Sequence, residues 1–186
     1  MRKIAFVVVL FALFTSCSET ERQEFEYSGG TVNMALENEM STNIPRNVLD
    51  YYSAKVLNQI TEGLVGFNTE TLKIEPRLAK SWTKSDDGLK YTFTLRNDVY
   101  FHPHELFSGL EDRKSTTEDV VKAFEMACTK KEDGTAPNSY SSIFKSLLKG
   151  ADEFYEGKAK NISGLTISGQ NVTMELVHED QNFLNK

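Results

Sequence analysis

The stretch IEPRLAKSWTKSDDGLKYTFTLRNDVYFH, Ile74 to His102, decides the fold. Asp86-Asp87-Gly88 stands between SWTKS and LKYTFTL, and an Asp-Gly pair between strand-like arms is a strong hairpin signal. In the second arm Tyr91, Phe93 and Leu95 share one face and Thr92, Thr94 and Arg96 the other. Side chains alternate across a strand, so this arm is buried on one side only. Trp82 sits in the first arm and is expected to pack with Phe93 and Leu95. Asn97-Asp98 breaks the run, Val99 to His102 resumes it, and the residues from Pro103 to Lys114 read as an irregular loop.

Working outward, short strands are expected in LVGF and LKIEP around the polar turn Asn68-Thr69-Glu70-Thr71. Upstream, Val48, Tyr52, Val56 and Ile60 recur every fourth residue, which predicts an amphipathic helix. Residues 37–47 (ENEMSTNIPRN) read as a loop, and residues 31–36 (TVNMAL) alternate like a first strand. Downstream, Thr116 is a candidate N-cap with Asp119 three residues on, opening a helix that runs to about Lys130. Ile143, Phe144, Leu147, Leu148, Ala151, Phe154 and Tyr155 form a second helical stripe, bent at Gly150. Leu165 and Ile167 then face Val172, Met174 and Leu176 across residues 168–171, as a further hairpin.

The first residues differ from the rest. Arg2 and Lys3 precede the uncharged apolar run from Ile4 to Phe14, which is too short to span a bilayer and has the layout of a secretory signal peptide. It ends in Leu13-Phe14-Thr15-Ser16-Cys17, which resembles the lipobox of bacterial lipoproteins, where cleavage before the cysteine leaves a thiol that carries lipid. That places a lipoprotein signal peptide over residues 1–16 and an acidic, solvated tether over residues 17–28. Acyl chains on Cys17 anchor a chain without spanning the membrane. Loss of residues 1–16 removes Arg2 and Lys3 and no acid, taking the formal charge from −6 to −8. Cys128 is then the remaining thiol; it shares a helical face with Val120, Val121, Phe124 and Ala127 and reads as a small core residue.

An acidic chain of 186 residues without a basic cluster is a poor partner for nucleic acid, since phosphate binding needs concentrated Lys and Arg. No nucleophile elbow, HExxH or phosphate-binding loop occurs, so no enzyme activity and no cofactor are expected. His102 and His104 are the one suggestive pair. Residues i and i+2 of a strand share a side, but Pro103 disrupts the strand, and a third ligand is missing at any fixed spacing, His178 being the only other histidine. A metal hydrolase built on this pair is therefore the weakest functional class.

Several stretches together resemble the large extracellular solute-binding proteins that serve peptide, nickel and related ABC importers. They are VLNQITEGLVGFN, the Ile74 to His102 stretch, TTEDVVKAFE and ISGLTISGQNVTMELV, in that order, so the resemblance runs from about Thr31 to the end. Two departures stand out: Thr61 where the family usually has an aromatic residue before Glu-Gly-Leu, and a longer Pro103 to Lys114 loop carrying a second histidine.

The resemblance implies a mixed α/β chain, the N-terminal portion of a type II periplasmic-binding-protein fold: the start of lobe one over residues 29–50, an inserted subdomain over 51–160 and a return to lobe one over 161–186. It implies a non-catalytic, lipid-anchored binding component of an importer at the cell envelope, on the periplasmic side or the surface. Its partners would be an oligopeptide or other small solute, a membrane ABC permease, and the membrane through the lipid. Members of the family are longer and close two lobes on the ligand, so a truncated chain is expected, and the alternative is a remnant lipoprotein that binds nothing alone. Ligand contacts in the family come partly from the loop after the first strand, which here makes Glu37, Asn38 and Glu39 the candidates.

Overall fold

The structure is a computed structural model of the chain; it describes residues 30–31 and 33–185. The expected signal peptide, Cys17 and the expected tether lie outside the described residues. The chain divides into two units, Met1–Ala35 and Leu36–Lys186. In the first, the described residues have no regular secondary structure, so the strand expected at residues 31–36 is not formed among them. Alternation is a conditional signal: it suits a strand whose backbone has a ladder partner and does not supply one.

The second unit is built on the decisive stretch. Strands β1 (Val65–Asn68) and β2 (Lys73–Pro76) pair antiparallel around the polar turn. Strands β3 (Ala79–Lys84) and β4 (Lys90–Leu95) form the Asp-Gly hairpin, with Trp82 opposite Phe93. Strands β5 (Leu165–Ser168) and β6 (Asn171–Glu175) form the last hairpin, and β6 pairs with β4, giving one antiparallel sheet of order β3-β4-β6-β5. The hairpin beyond residue 160 thus lies in the same sheet as the hairpin before it.

One face of this sheet is the core. Tyr91, Phe93, Leu95, Val172, Met174 and Leu176 are all buried there. Each such side chain stabilises the fold by about 1.5–3 kcal/mol relative to exposure. The opposite face is polar, with the Thr92 and Thr173 hydroxyls 2.9 Å apart across the β4–β6 pair.

Val120, Tyr140 and Ala151, from the later helical segments, join the sheet's buried side chains in one core cluster. Helix α1 (Tyr51–Ile60) begins where the Asp50 carboxylate accepts from Ser53 N at 2.8 Å. Helix α2 (Thr117–Ala127) opens with a complete capping box: Asp119 N donates to the Thr116 hydroxyl, and Thr116 N donates to the Asp119 carboxylate at 2.8 Å. It stops at Ala127, short of the expected Lys130, and just beyond it the Thr129 hydroxyl donates to Glu125 O at 2.7 Å.

The second helical stripe is not one bent helix. A π-helical turn (Tyr140–Phe144) is followed by a break, and helix α3 (Ala151–Tyr155) starts afresh. Ser146 adopts a left-handed backbone, φ 59°, held by the Asp152 carboxylate, which accepts from Ser146 N at 3.2 Å and from Tyr140 Oη at 2.9 Å. Lys149 N then donates to Glu175 O at 3.0 Å, so the break serves to meet the sheet. The resumed strand at Val99 to His102 likewise shrinks to one bridge between Tyr100 and Lys114.

Candidate functional site

Glu37, Asn38 and Glu39 all lie on the exposed loop that leads to α1. The loop has a built base. Ser53, buried on α1, accepts at its hydroxyl from Ser41 N at 3.0 Å and Thr42 N at 3.2 Å. Ser41 Oγ donates to Asp50 Oδ2 at 2.5 Å. That bond, with those from Ser53, lowers the Asp50 carboxyl to about 2. Asp50 is therefore ionised whenever the helix is formed near neutral pH, and its charge complements the positive N-terminus of α1. Further along, Arg46 donates to Met126 O at 3.0 Å, and Asn138 donates to Val48 O, tying the loop to the segments around α2 and the π turn. Buried Asn47 Oδ1 has no hydrogen-bond partner among the described residues.

Of the three candidates, Glu37 is engaged: its carboxylate accepts from Tyr52 Oη at 3.2 Å. Asn38 and Glu39 are exposed beside it. The loop therefore presents anionic and amide groups on a scaffold pinned at Ser41, Asp50 and Ser53. Sequence reasoning missed those pinning residues, although Asp50 immediately before the helical period is a recognisable cap signal.

The histidine pair does not converge on a third ligand. His102 and His104 are exposed, and His104 Nδ1 accepts from Leu106 N at 3.2 Å. Among the described residues no group of three or more His, Cys, Asp or Glu is placed to hold a metal. Cys128 is fully buried, and burial pushes its thiol up to about 12, with the nearby Asp152 charge adding to the shift. Such a thiol is inert as a nucleophile.

Among the described residues of the second unit, two concavities stand out. One, about 180 Å³, borders the start of α2 and includes Arg96, Lys114 and Thr116. Within it Arg96 is bidentate to Asp98 at 2.9 and 3.1 Å, and Asp119 fills the helix start. The other, about 290 Å³, is an apolar groove lined by Leu64, Val65, Phe124, Phe144, Phe183 and Leu184 among others.

Comparison with known proteins assigns the family. Residues 73–186 match the model of the bacterial extracellular solute-binding proteins, family 5, middle region, and the chain belongs to that family. Heme-binding protein A of Haemophilus influenzae is 37% identical over 101 residues, 51% of this chain and 18% of that one. Oligopeptide-binding protein AliB of Streptococcus pneumoniae is 27% identical over 158 residues, 84% of this chain and 21% of that one. Among solved structures, a periplasmic oligopeptide-binding protein of a Borrelia burgdorferi oligopeptide ABC transporter is 30% identical at TM-score 0.61, covering 77% of this chain and 27% of that one. The fold is thus mixed α/β, of the type II periplasmic-binding-protein kind. The chain spans about a fifth of the length of these curated relatives. No helix among the described residues is long and apolar enough to cross a membrane.

Proposed function

We propose that this protein captures a small solute, with oligopeptides the leading class, for an ABC importer, and that acyl chains on Cys17 hold it at the outer side of a membrane. It works by binding, without catalysis. Ligand favours a closed arrangement over an open one, and that difference in affinity drives the conformational change. The observation that carries the reading is the family match over residues 73–186, joined by relatives named as oligopeptide-binding proteins.

Glu37, Asn38 and Glu39 contribute to ligand contact in this reading. Two carboxylates and an amide on a pinned loop suit a cationic group with donors, such as a peptide's amino terminus. The matching experiment is thermal denaturation of residues 17–186 with and without pooled short peptides, because a ligand that prefers the folded state raises its stability. A rise in melting temperature that Glu39→Gln reduces supports the reading. Unchanged melting at millimolar peptide removes it for these residues acting unaided.

A second reading has its own support. The Haemophilus influenzae relative is named for heme, and its identity over the shared residues is the higher of the two curated relatives described. Heme as ligand predicts a shifted Soret band on titration, which peptides do not produce.

A further inference from the structure

Residues 101–113 form a loop closed at its neck. Phe101 N donates to Arg113 O at 2.7 Å, Arg113 Nε donates to Phe101 O at 2.8 Å, and Ser115 N donates to Val99 O at 2.9 Å. Within the loop, Phe107 N donates to His104 O at 3.0 Å, Arg113 N to Leu110 O at 3.1 Å and Ser108 N to Asp112 Oδ2 at 3.2 Å. Phe101 and Phe107 stack with ring centroids 6.1 Å apart. A compact surface loop of this kind has many of its backbone groups satisfied internally. Its apolar side chains are not covered: Leu106 is 84% exposed, Leu110 56% and Phe101 45%.

Large apolar residues gathered on one ordered loop mark a contact surface. Charge does not select the contact. Glu105, Glu111 and Asp112 nearly balance Arg113 and Lys114, and the whole chain is net acidic at −6. A neutral apolar surface therefore suits the loop better than an anionic one. The chain before the described residues indicates which surface is at hand. Residues 17–29 separate Cys17 from the described residues and span at most about 45 Å. An acylated Cys17 would keep the protein within reach of a bilayer.

We propose that the 101–113 loop seats Leu106, Leu110 and Phe101 in the headgroup layer of the bilayer to which Cys17 tethers the chain, and favours zwitterionic over anionic headgroups. This rests on the lipid-anchored reading above. The test uses residues 17–186 with Cys17→Ala, which removes the acyl site and leaves Cys128 buried. Gly109→Cys adds a labelling position on the loop, because a Cβ there meets nothing within 4 Å. An environment-sensitive dye at that position should shift to the blue with phosphatidylcholine–phosphatidylethanolamine vesicles, and less when phosphatidylglycerol is included. Leu106→Asp changes a side chain already in water, so the fold should survive, and vesicle binding should fall about tenfold.

No dye shift, binding unaffected by Leu106→Asp, or a preference for phosphatidylglycerol would each overturn the proposal. Concentration-dependent self-association abolished by Leu106→Asp, with no vesicle binding, assigns the loop to a second copy and overturns it as well. Mass spectrometry of Cys17 in the exported native chain tests the anchor separately. An unacylated Cys17 removes the anchor reading whatever the vesicles show.

Discussion

Cys128 and Trp82 show what single residues contribute. Cys128 has no exposed surface, and its thiol is pushed up to about 12 mainly by burial. It should resist alkylation in the folded Cys17→Ala protein at pH 8 and react at once in denaturant; rapid native labelling would mean that the helix face is open. A thiol raised above its unfolded value contributes stability that is present below about pH 8.5 and declines as the pH rises toward 12. Trp82 lies on edge strand β3, only half buried, packed against the core and opposite Phe93. Full burial of a tryptophan would cost 3–5 kcal/mol on truncation. The half-exposed ring should cost about 2 kcal/mol in Trp82→Ala, read by denaturant unfolding, and a loss under about 0.5 kcal/mol would place it among ordinary surface residues.

Elements show which signals were local. The β3–β4 and β5–β6 hairpins were legible because alternation and turn residues sit within a few positions of each other. The pairing of β4 with β6 was not, since Thr92 and Thr173 are 81 positions apart and nothing near either names the other. The helical stripe misled because periodicity carries no trace of Asp152 reaching back to Ser146. Gly150 is where that break is most exposed to test. Its φ is 81°, and a Cβ there would lie 2.3 Å from Ser163 Oγ and 2.6 Å from Ser163 N. Gly150→Ala should destabilise by at least about 2 kcal/mol, from the left-handed backbone and the backbone contact together. The loop base has a different signature. Asp50, at about 2 in the folded state, lies below its unfolded value near 4, so its stabilisation is complete above that value and is lost as pH falls from about 4 to 2. Asp50→Asn retains a good cap without the charge, and its melting temperature should fall less than wild type between pH 5 and pH 2. An equal fall would assign the acid sensitivity to the other lowered carboxyls, such as Asp98 and Glu175.

At the scale of the whole molecule, the family was legible from ordered motifs, and the candidate site only in part. Glu37, Asn38 and Glu39 could be named from their place after an expected first strand, yet the bond from Tyr52 to Glu37 and the clasp of Ser41 on Asp50 depend on how the loop folds over α1. The central claim is solute capture, with peptide ahead of heme. Calorimetric titration of residues 17–186 with pooled short peptides, beside a heme titration, tests it most directly. The account predicts saturable peptide binding that Glu39→Gln weakens, with no shift of the heme Soret band. Saturable heme binding with peptides silent would contradict it.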